Sequence, residues 1–328
     1  PRRVNPLSPK NIMVFATGPL TGIRGAPCPG RYAVISKSPK TGAITDSQSG
    51  GEWGPYLKFA GFDYIVVRGK SPDPVYLWVH DGEVAIKDAD DYWGDDAYGV
   101  TDAIKNDTHE EAKILCIGPP GEKESFLSAI MNDKYRAAGR SGLAAVMGSK
   151  NLKAIAVHGK RKVPVEDKAG MNKAKKEGIQ ALQDSDVTKP EGGLNTYGTA
   201  VLVNVINENG VFPTRNFQTG VFEDVDNISG ETMAGEGPEE FAILEKRTGC
   251  WGCQIQCARY TKIKSGPYKG KEGEGPEYET LWSLGADTGV GDLNAVAAAN
   301  WLCNKYGLDT ISTGSTIAFA MEANERGL

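Results

Sequence analysis

Seven short runs rich in β-branched and aromatic residues crowd into the first 158 positions: 12–16, 32–36, 64–68, 75–79, 83–86, 113–117 and 154–158. Turn formers bound them, among them Ser38 with Pro39, Asp73 with Pro74, Asp81 with Gly82, and Gly118 with Pro119 and Pro120. Runs this short, punctuated this often, read as strands rather than buried helices. Residues 75–79 and 83–86 flank Asp81 and Gly82, the pattern of a tight hairpin. Residues 96–106 read as a short helix between strands. From about position 165 the texture changes, and helical spacing governs 168–186, 199–209, 292–306 and 312–326. The expected fold is α+β: a strand-rich domain over 1–165, then a mainly helical domain over 166–328. The boundary falls in the polar stretch around Pro164, and neither side shows an internal repeat or low-complexity segment.

With 328 residues the chain can bury a sizeable core without disulfide staples. Its formal net charge is −5 and no Lys/Arg cluster interleaves with aromatics, so no nucleic-acid partner is expected. No apolar run reaches the roughly 20 residues that span a bilayer, and no charged-then-apolar leader opens the chain. The reading is a soluble, cytoplasmic protein with no membrane partner. Pro1 stands where Met would, and residues 1–20 read as the middle of a fold. We therefore expect a fragment of a longer protein, lacking both ends.

Six cysteines are present, and three of them, Cys250, Cys253 and Cys257, lie in the run GCWGCQIQC at 249–257. Three clustered thiols and three scattered ones make a poor disulfide framework. Their soft thiolates at C-x-x-C-x-x-x-C spacing suit an iron–sulfur cluster or zinc, and spacing alone leaves both open beside free or oxidised thiols. The fourth ligand is also open. The three histidines, His80, His109 and His158, all belong to the strand-rich half, lie at strand ends or in polar sequence, and lack a nucleophile partner. Cys303 could close the site, although its helix-like surroundings favour a small buried thiol. Cys28 and Cys116 read as incidental thiols, and the six tryptophans as packing residues.

The surroundings of the cysteine run carry a resemblance. GPLTG (18–22), GRY (30–32), SKSP (36–39), SGG (49–51), LKFAGFD (57–63), AIMND (129–133), RAAGR (136–140), VMGSKNLKA (146–154), YGTAVLV (197–203), NENG (207–210), NFQTG (216–220), EGPEYE (274–279) and GLDTIS (307–312) occur in this order. Together they resemble the tungsten-containing aldehyde ferredoxin oxidoreductase family over nearly the whole chain.

That resemblance implies a strand-rich domain of two β-sheets enclosing a pterin site. It implies tungsten held by two pterins, a magnesium ion shared by their phosphates, and a [4Fe–4S] cluster on Cys250, Cys253 and Cys257. The fourth cysteine would lie in a segment beyond Leu328. Pterin contacts map onto Arg31, Gln48, Gly50, Arg136, Ala137, Gly139, Arg140, Asn304, Leu308 and Asp309, with the backbone carbonyls of Gln48 and Ala137 on magnesium. Arg31 would lie between pterin and cluster. Glu279 would stand near the metal as general acid or base. The implied partners are a small aldehyde and ferredoxin or another electron-transfer subunit.

Several of these positions have a physical reading of their own. Residues 136–140 would set two guanidiniums about one helical turn apart, with small residues between them where phosphates could approach backbone N–H groups. SGG at 49–51 would let the backbone approach a large ligand. The plainer readings are a turn glycine pair, a solvated basic helix end, a solvated acidic loop at 274–279, and an ordinary helix N-cap at Asp309.

Three departures from the family pattern stand out. Asn304 replaces an Asp, Gln48 replaces an Asn, and AAA at 297–299 offers no carboxylate for a subunit-bridging iron, so neither that iron nor the dimer it would pin is expected. Two other readings remain: a related subunit that reduces carboxylates or aromatic acyl thioesters in a larger complex, and a zinc-stabilised binding protein with no redox role.

Overall fold

The computed structural model describes residues 3–328. The chain divides into two compact units, and both are discontinuous. The first runs as far as Ile179 and adds Cys250–Cys253 and Asn304–Asp309; the second comprises Gln180–Gly249, Gln254–Cys303 and Thr310–Leu328.

Two sheets build the first unit. One contains β1 (Met13–Thr17), β2 (Tyr32–Lys37), β3 (Ile44–Ser49) and β4 (Tyr64–Val67), all antiparallel in the order β3-β2-β1-β4. The other contains β5 (Val75–His80), β6 (Glu83–Asp88), β7 (Lys113–Ile117), β8 (Ile130–Asn132), β9 (Arg136–Ala138) and β10 (Leu152–His158), in the order β6-β5-β10-β7-β8-β9. Only the β5/β10 pairing is parallel. Every one of the seven predicted runs is a strand. The hairpin also forms, with Asp81 and Gly82 both at positive φ (51° and 92°), as a primed two-residue turn requires.

The inward faces of both sheets meet in one core. Met13, Phe15, Tyr32 and Val34 pack with Leu115, Ile117, Val146 and Ile155, and Trp53 sits among them with its indole N–H donating to the Ile155 carbonyl at 3.0 Å. Each fully buried large apolar side chain contributes about 1.5–3 kcal/mol. Three elements here escape sequence patterning. β3 reads ITDSQS, and its inward positions are Ser47 and Ser49 rather than apolar residues. The helix Leu143–Ser149 is buried at every position and so shows no amphipathic stripe. β8 and β9 are three residues each, too short for a period-2 signal.

The turn between β8 and β9 holds a buried carboxyl. Asp133 and Lys134 both adopt positive φ there (48° and 76°). Asp133 Oδ1 accepts the Ile114 N–H at 3.1 Å, while Oδ2 is buried without a hydrogen-bond partner. Burial pushes this carboxyl up to about 6, against the opposing pull of Lys113 and Lys105. Between the unfolded value near 4 and that folded value, the native state binds the extra proton. This group therefore adds stability as pH falls from about 7 to about 4, by roughly 2–3 kcal/mol taken alone. Chemical denaturation of wild type and Asp133→Asn across that range should show the component in wild type only. A stability difference between the two that stays constant over this range would refute it.

In the second unit, helices Leu202–Glu208, Tyr278–Leu284 and Thr310–Glu325, with most of Leu293–Tyr306, accompany a three-stranded antiparallel sheet. Its strands are β11 (Leu244–Thr248), β12 (Ala258–Lys262) and β13 (Glu272–Glu274). Sequence patterning misses this sheet, because β11 reads LEKRT and β13 reads EGE, both polar. Among the described residues no helix is long and apolar enough to cross a membrane.

Candidate active site

The register of β2 against β3, Tyr32 opposite Ser49 and Ala33 opposite Gln48, puts Arg31 and Gly50 side by side just beyond the paired ends. The segment Cys250–Cys253, part of the same unit, lies at that point. A Cβ on Gly50 would lie 2.3 Å from the Cys250 Sγ and 4.0 Å from Arg31 Nε, and one on Gly30 would lie 2.7 Å from the Gly51 carbonyl oxygen and 2.9 Å from Cys250 Cβ. Only glycine fits at either position. Gly51, at φ +91°, accepts the Trp251 N–H at 3.0 Å and so ties the loop to the strand end. Asn132 holds the same spot from β8, its amide donating to the Gly50 carbonyl at 2.7 Å and to the Tyr32 hydroxyl at 3.2 Å. Burial raises the Tyr32 phenol above its ordinary range, so it stays protonated.

Arg136 reaches the same thiol from β9, with its Nη1 3.8 Å from Cys250 Sγ. The contact is to sulfur, the soft donor atom that suits an iron–sulfur cluster or zinc. The Cys253 N–H donates to the Cys250 carbonyl at 3.1 Å around Gly252 (φ +65°), which curls the two cysteines into one tight turn. Trp251 between them is flanked by Phe59 (centroids 5.4 Å apart) and by the Arg24 guanidinium 5.0 Å from its ring. Its neighbours Arg24, Lys160, Arg161, Lys162 and Lys175 line a cleft of about 520 Å³. A larger cleft, about 690 Å³, lies among Val14, Ile35 and Ile44 and is lined by none of the predicted site residues.

Residues 136–140 do not form one helical turn carrying both arginines, contrary to the expectation of two arginines one helical turn apart. Arg136–Ala138 is strand β9, paired to β8, and Ser141 at φ 72° breaks the chain before the next helix. Strand pairing wins because Asp133 and Lys134 turn the chain back on itself. Arg136 thereby goes to Cys250, while Arg140 Nη1 goes to Asp309 Oδ2 at 2.9 Å. Asp309 is thus more than a helix N-cap: its side chain is only 7% exposed, and a Cβ on Gly139 would lie 3.3 Å from its Oδ1.

The segment carrying Asp309 is pinned like a short strand. The Ala129 N–H donates to the Gly307 carbonyl and the Asp309 N–H to the Leu127 carbonyl, both at 2.8 Å, with Leu308 bridged to Ser128. Asn304 is buried at its start. Gln48 is exposed on β3, with its amide 3.1 Å from Asp46 Oδ2, and Ala137 is exposed on the neighbouring β9. The first unit thus gathers Arg31, Gln48, Gly50, Arg136, Ala137, Gly139, Arg140, Asn304, Leu308, Asp309, Cys250 and Cys253.

Cys257 and Glu279 belong to the second unit. Residues 274–279 do not form a solvated acidic loop, because each carboxylate has a partner. Glu274 accepts from Thr248 Oγ1 at 2.6 Å, Glu277 from the Thr199 hydroxyl, and Glu279 Oε2 from the Trp282 indole N–H at 2.7 Å. Glu279 is exposed in the first turn of its helix, so Trp282 orients a carboxylate that water reaches. Cys303 is buried in the helix Leu293–Tyr306.

Sequence reasoning missed Arg259, which is 2% exposed and two residues past Cys257. Its guanidinium donates to the Asn195, Thr196 and Gln256 carbonyls and makes no ion pair with a described residue. Burial holds the Arg259 guanidinium below its ordinary value, against the opposing charge of Glu277. Cys257 lies two residues before it in the chain.

Cysteines against glycines, arginine on a cysteine sulfur and arginine on aspartate fit a cysteine-ligated cluster beside an anionic cofactor. Residues 1–159 match the family profile described as aldehyde ferredoxin oxidoreductase, N-terminal domain, and residues 173–328 match that of domains 2 and 3 of the same enzyme. The chain belongs to the aldehyde ferredoxin oxidoreductase family. It is 49% identical over 327 residues to the tungsten-containing aldehyde ferredoxin oxidoreductase of Pyrococcus abyssi (strain GE5 / Orsay), covering 99% of this chain and 52% of that one.

A more distant member, the aliphatic sulfonate oxidoreductase WOR-like subunit of Pyrococcus furiosus, is 33% identical over 341 residues, with the same coverage. Among solved structures, the active-site complex BamBC of benzoyl coenzyme A reductase superposes with a TM-score of 0.82 at 27% identity, over 100% of this chain and 50% of that one. The chain spans about half the length of the curated aldehyde ferredoxin oxidoreductase relatives it matches.

Proposed function

We propose that this chain is the cofactor-bearing part of an aldehyde oxidoreductase, catalysing RCHO + H2O → RCOOH + 2 H+ + 2 e− and delivering the electrons to ferredoxin. The observation that carries the reading is the Cys250 thiol set against Gly50 and 3.8 Å from Arg136. A redox cluster ligand is thereby joined to the residues assigned to the pterin. Arg31, Gln48, Gly50, Arg136, Ala137, Gly139, Arg140, Asn304, Leu308 and Asp309 would hold a tungsten bis-pterin, with the Gln48 and Ala137 carbonyls on magnesium. Cys250, Cys253 and Cys257 would hold three corners of a [4Fe–4S] cluster. When bound, the tungsten cofactor supplies two-electron oxidation and Lewis acidity at the aldehyde oxygen, and the cluster supplies single-electron transfer.

The chain's own residues do the rest. Arg140 and Asp309 form a fixed charge pair able to receive a phosphate on one side and ring N–H groups on the other. Arg136 and Arg31 put positive charge where the cluster gains an electron. Glu279, held by Trp282 at one oxygen, has the other available to take a proton from the attacking water. The five cations around Trp251 form a rim that suits an acidic electron carrier, by steering rather than by tight contact.

The relatives at 33% and 27% identity support a second reading, a reductase subunit of a larger complex, but identity of 49% to aldehyde oxidoreductases favours the first. The full-length protein, purified without oxygen, should be brown, contain tungsten, pterin and about four irons, and reduce viologen only when given aldehyde. Electron transfer to ferredoxin, but not to viologen, should weaken with salt. A colourless protein holding one zinc would overturn the reading.

A further inference from the structure

The antiparallel pairing of β10 with β7 sets Val157 opposite Lys113, and so brings the end of β10 beside the turn that precedes β7. Three potential ligands meet there: His158, the last residue of β10, and His109 and Glu111 in the turn. Their ligand atoms all lie within 4.8 Å of one another. His158 is 7% exposed, and its Nε2 is buried with no hydrogen-bond partner. Glu111 Oε2 lies 3.6 Å away, too far for a good hydrogen bond but well placed for an ion between them. A buried imidazole nitrogen without a partner is costly, and the function proposed above makes no use of it.

We propose that His109, Glu111 and His158 form a further metal site, for a zinc-class divalent cation. Two imidazoles and one carboxylate are the donor set such ions take, with a fourth position left to water; calcium and magnesium prefer all-oxygen cages. Glu111 offsets one of the ion's two charges. Burial and the neighbouring His109 hold His158 below its ordinary value, so it is neutral near pH 7 and ready to ligate.

Binding carries two costs. The rings stack 3.9 Å apart at 20°, and an ion in the plane of each requires that stack to open. His109 Nδ1 accepts the Glu111 N–H at 3.1 Å, so ligation through Nε2 shifts the ring proton to Nδ1 and loses that bond. Ligand atoms around a tetrahedral zinc are about 3.4 Å apart, so the three, now within 4.8 Å of one another, must also close by up to about 1.4 Å. These costs set the expected dissociation constant in the micromolar range, about 1–10 µM.

The test uses the full-length holoenzyme, dialysed against about 20 µM zinc chloride, roughly twice the upper end of that range. Metals are then counted, and zinc-edge absorption reads the ligands. Wild type should retain roughly 0.7–0.95 zinc more per chain than the double variant His109→Ala with Glu111→Gln, at equal iron and tungsten contents. Its zinc spectrum should show nitrogen and oxygen neighbours, and added zinc should raise its thermal midpoint but not the variant's. Equal zinc in the two proteins, or a sulfur-ligated zinc spectrum, would overturn the proposal. Because iron, tungsten and aldehyde-dependent viologen reduction are read in the same samples, failure here is separable from failure of the oxidoreductase reading.

Discussion

Lys153→Met should destabilise the first unit by about 3–5 kcal/mol. Lys153 is one of seven consecutive buried positions on β10, its side chain fully shielded from solvent. Its ammonium donates to the Asp95 carbonyl at 2.9 Å and to Glu122, whose side chain is 4% exposed and also accepts the Gly94 N–H. Methionine keeps the shape but strands the Glu122 carboxylate, and an uncompensated buried charge accounts for most of the cost. The double variant with Glu122→Met should recover most of the loss, since a buried ion pair and an apolar pair of similar volume are nearly equivalent. Denaturant titration of the three proteins decides it. A single variant within about 1 kcal/mol of wild type would show that the pair is dispensable.

Gly118→Ala should be nearly as damaging, and its effect should appear first at the cofactor site. Gly118 lies just before the short helix Pro119–Glu122 at φ −91°, a conformation that alanine adopts without strain. The obstacle is steric: a Cβ would lie 2.0 Å from the Tyr306 carbonyl oxygen and 2.7 Å from its carbon. Backbone must move by more than 1 Å, and the backbone in question leads directly into Gly307, Leu308 and Asp309. The expected cost is about 2–4 kcal/mol, in the range of overpacked cores. The segment should pull away from Ala129 and Leu127 and uncouple Asp309 from Arg140. Lower pterin content at full iron content would report that displacement. Iron and pterin falling together would instead mean that the whole unit had come apart.

Much of this site was legible in the sequence, because its residues sit in short strings rather than in distant pairs. The glycines at 50 and 51, the cysteine spacing and the arginines at 136 and 140 are all visible without coordinates. What the strings concealed was the local backbone. RAAGR looks helical by composition, yet the turn at Asp133 and Lys134 makes its first three residues a strand, which sends Arg136 and Arg140 to different partners. Asn132 is visible only as one letter of the string AIMND, since nothing local announces that its amide will hold Gly50 from another sheet. Arg259 and the pairing of His109 with His158 were hidden for the same reason. Charge burial and ring stacking depend on which strands become neighbours, and that register is a tertiary property. The third sheet was missed because its strands are polar and short, and strand propensity weighs little there.

The first unit is assembled from three stretches of chain, and two of them, Cys250–Cys253 and Asn304–Asp309, are four and six residues long. Each carries residues assigned to a cofactor, and each is separated from the main stretch by residues of the second unit. No contiguous cut can therefore lift the cofactor pocket out as a cassette: a piece ending near residue 165 would keep both sheets and lose Cys250, Cys253 and Asp309. A gene-level exchange of the leading half with a relative would meet the same obstacle, since the borrowed sheets would have to accept the host's cysteine loop against Gly30 and Gly50, where a single added methyl group has no room. Variation in this pocket is thereby confined to changes that the two returning segments tolerate together.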